Sequence, residues 1–191
     1  MVPGIPKPGL QTWIALFRGI NVGGNHILPM AELRKDLEFL KLQNVRTYIQ
    51  SGNVVFDTNI KATPKAKARL ATSIAQRVEE RHGFKPQVLL LSPEELRRAV
   101  TNNPFPTAAA DPKTLHFNFL AEPVSGFDGG PLEAIQTSTE SFQLVDSVFY
   151  LHAPDGIGRS KLAAKIEKHL GVAITGRNFR TVQKILSMVA H

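Results

Sequence analysis

The chain has 191 residues, enough for one domain or two small ones with a buried core, and its 42% hydrophobic and 20% charged content is that of a globular protein. It holds no cysteine, which excludes disulfides, thiol catalysis and thiolate metal sites. The net charge is +7 but uneven: residues 111–158 carry one Lys against seven acids, and residues 159–191 carry seven Lys and Arg against one acid. A basic excess suits anionic partners such as nucleotides, nucleic acid or phosphorylated metabolites, and it equally suits a solvated surface.

Residues 1–11, MVPGIPKPGLQ, hold three prolines and no apolar run of signal-peptide length, and read as a flexible N-terminal extension. Runs such as WIALF and VLLL are too short to span a bilayer, so a soluble, cytoplasmic protein with no membrane partner is expected. From there LQTWIALFRGI reads as a strand, and PMAELRKDLEFLK as a helix with Met30, Leu33, Leu37 and Leu40 on one stripe. VRTYIQ and NVVFDT flank the turn Ser51–Gly52 as a hairpin. KAKARLATSIAQRVEERHG is a helix with Leu70, Ile74 and Val78 inward and Gly83 as its C-cap, and KPQVLLLS is a strand. SPEELRRAVTNN follows as a helix, with Ser92 and Glu95 forming a capping box.

NPFPTAAADP marks a domain boundary. Beyond it LHFNFLA, GPLEAIQT, SFQLV, SVFYLHA, SKLAAKIEKHLG and VAIT repeat the order strand, helix, hairpin, helix, strand, and NFRTVQKILSMVA forms a last helix. The expected fold class is therefore α+β, with two tandem ferredoxin-like (α/β-plait, βαββαβ) subdomains at 12–103 and 112–191, the second ending in a C-terminal helix.

In this topology the end of the first strand, the hairpin and the start of the fourth strand share one edge. In the first subdomain that edge gathers Arg18, Asn21, Gly23 and Gly24 with Gln50, Ser51 and Asn53, near His82. In the second subdomain the ends of the third and fourth strands lie together. That brings Arg159, Ser160 and Lys161 beside Arg177, Asn178 and Arg180, read as two helix starts. Basic residues at a helix start oppose the helix dipole at about 0.3–1 kcal/mol each. An anion there would offset the cost, and so would Asp155 or another acid of the 111–158 segment. The glycines Gly19, Gly23 and Gly24 equally suit a cramped turn, and Ser51–Gly52 is a good hairpin turn without any ligand.

Known fingerprints are missing. The glycine spacing is not G-x-G-x-x-G, and GIGRSK lacks the lysine-before-hydroxyl order of a phosphate loop. G-x-S-x-G does not occur, and the six histidines show no metal-ligand spacing, so no metal or cofactor is indicated and catalytic residues stay unknown. NVVFDT lacks the aromatic pattern of RNA-binding plaits.

ALFRGINVGGNHILPMAELR, VRTYIQSGNVVF, NPFP, DPKTLHFNFL, YLHAPDGIGRSKL and GRNFRTVQKI, in that order, resemble the bacterial domain of unknown function 1697 family. The resemblance runs from Thr12 to near the C-terminus and implies two α/β-plait subdomains. It implies no activity, cofactor or catalytic residue. The reading that the residues favour is a binding module for an anionic or phosphorylated small molecule, a nucleotide among them, with its status as an enzyme open. The alternatives are weak nucleic-acid binding by the basic surface and a structural or protein-interaction module.

Overall fold

A computed structural model describes residues 9–61 and 63–189. The extension expected at residues 1–11 falls largely outside them. The described chain is mixed α+β, with two four-stranded antiparallel sheets and a C-terminal helix. It divides into two compact units, one running to Arg97 and taking in the chain from Lys184, the other spanning Arg98–Gln183.

In the first unit β1 (Gln11–Arg18) is followed by α1 (Met30–Phe39), β2 (Gln43–Tyr48), β3 (Asn53–Thr58), α2 (Pro64–His82) and β4 (Gln87–Leu91). The strand order is β2-β3-β1-β4, which makes β1 and β3 central. A strand with neighbours on both sides and cover on both faces must be apolar throughout, and WIALF is. Trp13 to Phe17 are all at most 1% exposed. Trp13, Ala15 and Phe17 join Val54, Phe56 and Leu90 beneath Leu33 and Leu37 of α1 and Leu70, Ile74 and Val78 of α2. Thr63 caps α2 by accepting from the Ala66 N–H at 3.2 Å, and Gly83 ends it in the left-handed conformation at φ 76°.

Buried charge binds these two helices together. The Asp36 carboxylate on α1 is fully enclosed and accepts from Arg77 Nε at 3.2 Å, Arg81 Nη1 at 2.9 Å and His82 Nε2 at 2.8 Å, all on α2. A second buried carboxylate, Asp57 on β3, accepts from the Thr12 hydroxyl at 2.8 Å and Asn44 Nδ2 at 2.7 Å. Asn44 sits at φ 51° beside an irregularity in the β2–β3 register.

Helix α3 (Pro93–Thr101) opens with the expected capping box: Glu95 N donates to Ser92 Oγ at 3.1 Å and Ser92 N to Glu95 Oε2 at 2.7 Å. The second unit continues through a 3-10 turn, Pro106–Ala110, to β5 (Leu115–Leu120), α4 (Gly130–Glu133), β6 (Ser141–Val145) and β7 (Val148–His152). Two further 3-10 turns, Ile157–Arg159 and Ala163–Lys165, lead to α5 (Ile166–Leu170), β8 (Ile174–Asn178) and α6 (Phe179–Val189). The sheet order is β6-β7-β5-β8. One face packs Leu120, Phe149 and Leu151 against Leu132, Leu162, Ile166 and Leu170. Tyr150 points to the opposite face, where it meets Phe117 edge-on at 4.8 Å and donates its hydroxyl to Ala99 O at 2.7 Å. Burial raises its pKa above the ordinary tyrosine value.

Two expectations change here. The continuous helix read from SKLAAKIEKHLG is broken into 3-10 turns and the five residues of α5. A segment this short cannot offset the cost of helix nucleation by its own hydrogen bonds, so packing of Leu162, Ile166 and Leu170 sets its path. The last strand is longer than VAIT and runs to Asn178, so Arg177 and Asn178 lie on a strand.

Removing one partner of a buried ion pair leaves the others uncompensated. Asp36→Ala is therefore expected to lose about 3–5 kcal/mol of stability, read from urea unfolding, whereas Lys35→Ala on the exposed face of α1 is expected to lose under about 1 kcal/mol.

Candidate functional site

At the end of β1 the register places Arg18 opposite Gln87 of β4 and Leu16 opposite Asn53 of β3, so the glycine loop, the hairpin and the start of β4 share an edge. Arg18 Nη1 donates to Gln87 Oε1 at 3.2 Å. Asn21, at φ 54°, organises the loop. Its Nδ2 donates to Leu28 O at 2.9 Å and to Gln50 O at 2.7 Å, and its Oδ1 accepts from the Leu28 N–H at 2.7 Å. His26 closes the other side, with Nδ1 against Gly19 O at 2.8 Å and its ring stacked on Phe84 at 4.6 Å. Gly23 and Gly24, at φ 59° and 77°, form the exposed tip. A Cβ would meet nothing there, so the backbone conformation alone selects glycine.

The hairpin is fitted more tightly. The Phe17 N–H donates to Gly52 O at 2.8 Å, and a Cβ on Gly52 would lie 2.5 Å from Phe17 Cβ. Asn53 is buried and donates to Tyr48 O at 3.1 Å and to Ser51 Oγ at 3.0 Å. Asn21, Ser51 and Asn53 thus hold protein to protein, and Gln50 contributes its carbonyl to the same network. His82, expected near this edge, meets Asp36 through Nε2 at 2.8 Å. The edge presents large apolar side chains that sequence reasoning missed: Val22, Ile27 and Ile49 are 66%, 67% and 50% exposed.

In the second unit β7 and β8 flank β5, with His152 opposite Leu115 and Asn178 opposite His116. The chain therefore leaves both strands at the same end of the sheet. The helix starts expected there are not open. Asn178 Oδ1 accepts from the Thr181 N–H at 3.0 Å, and the Arg180 N–H donates to Pro112 O at 3.0 Å. Ser160 is buried and its hydroxyl accepts from the Ala163 N–H at 2.9 Å. The main-chain N–H groups of Ala163, Arg180 and Thr181 are thus engaged within the protein.

Arg177 is half-buried and donates from Nη1 to Gly176 O at 2.8 Å; burial pushes its pKa down to about 10. Arg159, Lys161 and Arg180 are exposed, and among the described residues their side chains form no hydrogen bond or ion pair. Asp155, the acid nearest in sequence, accepts from the Thr139 hydroxyl at 2.6 Å. His116 lies at the same end, 8% exposed, and burial, reinforced by the charge of His152, pulls its pKa down to about 4. Its strand position gave no sign of this, because the register with Asn178 depends on a pairing sixty residues away in the chain.

Among the described residues no group of three or more His, Asp or Glu is placed to hold a metal ion, and no helix is long and apolar enough to cross a membrane. The described chain is thus two small antiparallel-sheet units with polar loops at the strand ends. The chain belongs to the family described as "Protein of unknown function (DUF1697)", whose model matches residues 10–150. Among solved structures it is similar to the conserved bacterial protein SP0830 from Streptococcus pneumoniae. The two share 28% identity with a TM-score of 0.70, over 94% of this chain and 99% of that one. No curated protein matches it.

Gly52→Ala must move Phe17 and strain a left-handed backbone, and is expected to cost about 2 kcal/mol or more in urea unfolding. His116 titrates near 4 in the native state and near 6.5 when unfolded, so the unfolded chain takes its proton first. Stability should fall as pH drops from about 6.5 to about 4, by on the order of 2 kcal/mol from this group. Urea midpoints at pH 7 and pH 4.5 should lose that component in His116→Gln.

Proposed function

We propose that the chain is a binding module for an anionic small molecule, a phosphate or phosphorylated metabolite, held at the end of the second sheet by Arg159, Lys161 and Arg180. The observation that carries this reading is the unspent charge. Three exposed cations, Arg159, Lys161 and Arg180, belong to the segments at one strand end, and among the described residues none of them forms an ion pair. Guanidinium groups match the oxygens of phosphate in a planar fork, which suits them to this ligand class. The strand order with the first and third strands central supports assigning both units to the ferredoxin-like α/β plait. The composition, free of cysteine, supports a cytoplasmic location.

A second reading has its own observation. Val22, Ile27 and Ile49 expose apolar surface at the edge of the first unit, which favours a protein-interaction surface there. Nucleic acid is a third ligand class for the basic face, distinguished by a steep loss of affinity with salt.

Ligand binding to the native state raises the melting temperature in proportion to ln(1 + [L]/Kd). Inorganic phosphate or a nucleoside phosphate is expected to give a shift that the double variant Arg159→Ala, Arg180→Ala loses, with its ligand-free melting temperature unchanged. A shift that survives in the double variant places the ligand elsewhere.

A further inference from the structure

One group at the second edge is enclosed without being spent. His116 is 8% exposed, yet no hydrogen bond or ion pair engages its ring among the described residues. The described buried side-chain nitrogen or oxygen that lacks a partner is Arg46 Nε, in the other unit. The His116 nitrogens are therefore not sealed in: the ring body is packed and a nitrogen reaches solvent. Residues paired across a sheet project to the same side, so His116 leaves β5 on the face of Leu151 and Asn178. Asn178 caps α6, which carries Arg180, and the loop after β7 carries Arg159. An imidazole at the second position of β5 thus lies at the end of the sheet where both of these segments begin.

We propose that His116 is a contact residue of this anion site, taking up a proton as a tetrahedral dianion such as sulfate or a phosphomonoester binds. The inference rests on the site reading given above and assigns it a proton-linked ligand class. Before binding, burial and the charge of His152 favour the neutral ring; a dianion beside it reverses the local field and favours the imidazolium. The other charged or titratable groups about this end are Asp111 and Lys113 before β5, His152 on β7, and Asp155 and Lys161 in the loop. Glu140 before β6, Glu167 on α5 and Arg177 on β8 lie at this end too. His152 pairs with Leu115 and so projects from the opposite face of the sheet.

Sulfate is the probe of choice because it stays dianionic between pH 5 and pH 8, so any pH dependence belongs to the protein. Calorimetric titration of the intact chain with sulfate is expected to tighten by about fivefold or more from pH 7 to pH 5. His116→Gln should still bind at pH 7 but show a flat profile. An unchanged slope in His116→Gln overturns the role of His116 and leaves the arginine site standing. Binding that ignores the change of Arg159 and Arg180 to Ala, or no sulfate binding at any pH, overturns the site itself. His116→Gln is checked for folding by urea unfolding at pH 7, where the native ring is already neutral.

Discussion

The Phe17 N–H bonded to the Gly52 carbonyl at 2.8 Å is where the first unit is decided, because it seats a hairpin on a central strand that has no room for any larger residue. Once that contact is made, β3 lies beside β1, the Gln50 carbonyl comes within reach of Asn21, and Asn21 can pin the glycine loop to Leu28 and α1. The burial of Trp13 to Phe17 follows, since the central strand is then flanked on both sides. The glycine loop is thereby fixed as the turn between a strand and a helix.

Much of the architecture is legible in the residues because local and global preferences agree. Thr63 and Gly83 mark the ends of α2, Ser92 and Glu95 mark the start of α3, and Ser51–Gly52 marks a hairpin, all by chemistry confined to a few neighbours. What the sequence hides is set by packing across distance. The run from Ser160 to Gly171 has helical periodicity, yet its path is fixed by where the sheet can receive three aliphatic side chains. Arg177 and Asn178 continue a strand because β5 offers them partners, a fact that no local signal carries.

The two strand ends differ in how their polar groups are used. In the first unit Asn21, Ser51 and Asn53 are engaged in internal hydrogen bonds, and the exposed surface includes Val22, Ile27 and Ile49. In the second unit the caps are likewise internal, but Arg159, Lys161 and Arg180 are left over, and the surface is cationic. A polar residue near a turn is first of all a solution to the turn's own unpaired groups.

The strand order also bears on how the protein is made. In each unit the earliest strand is central and pairs only with later ones, so β1 waits for β3 and β4 while some seventy residues emerge from the ribosome. The second unit is a continuous stretch of chain, whereas the first recruits residues from Lys184 onward. The unit that starts first is thus the last to be finished. Its long central strand has to remain out of trouble as an unpaired apolar segment until β3 and β4 have emerged, which makes that interval a period of exposure to chaperones and to aggregation.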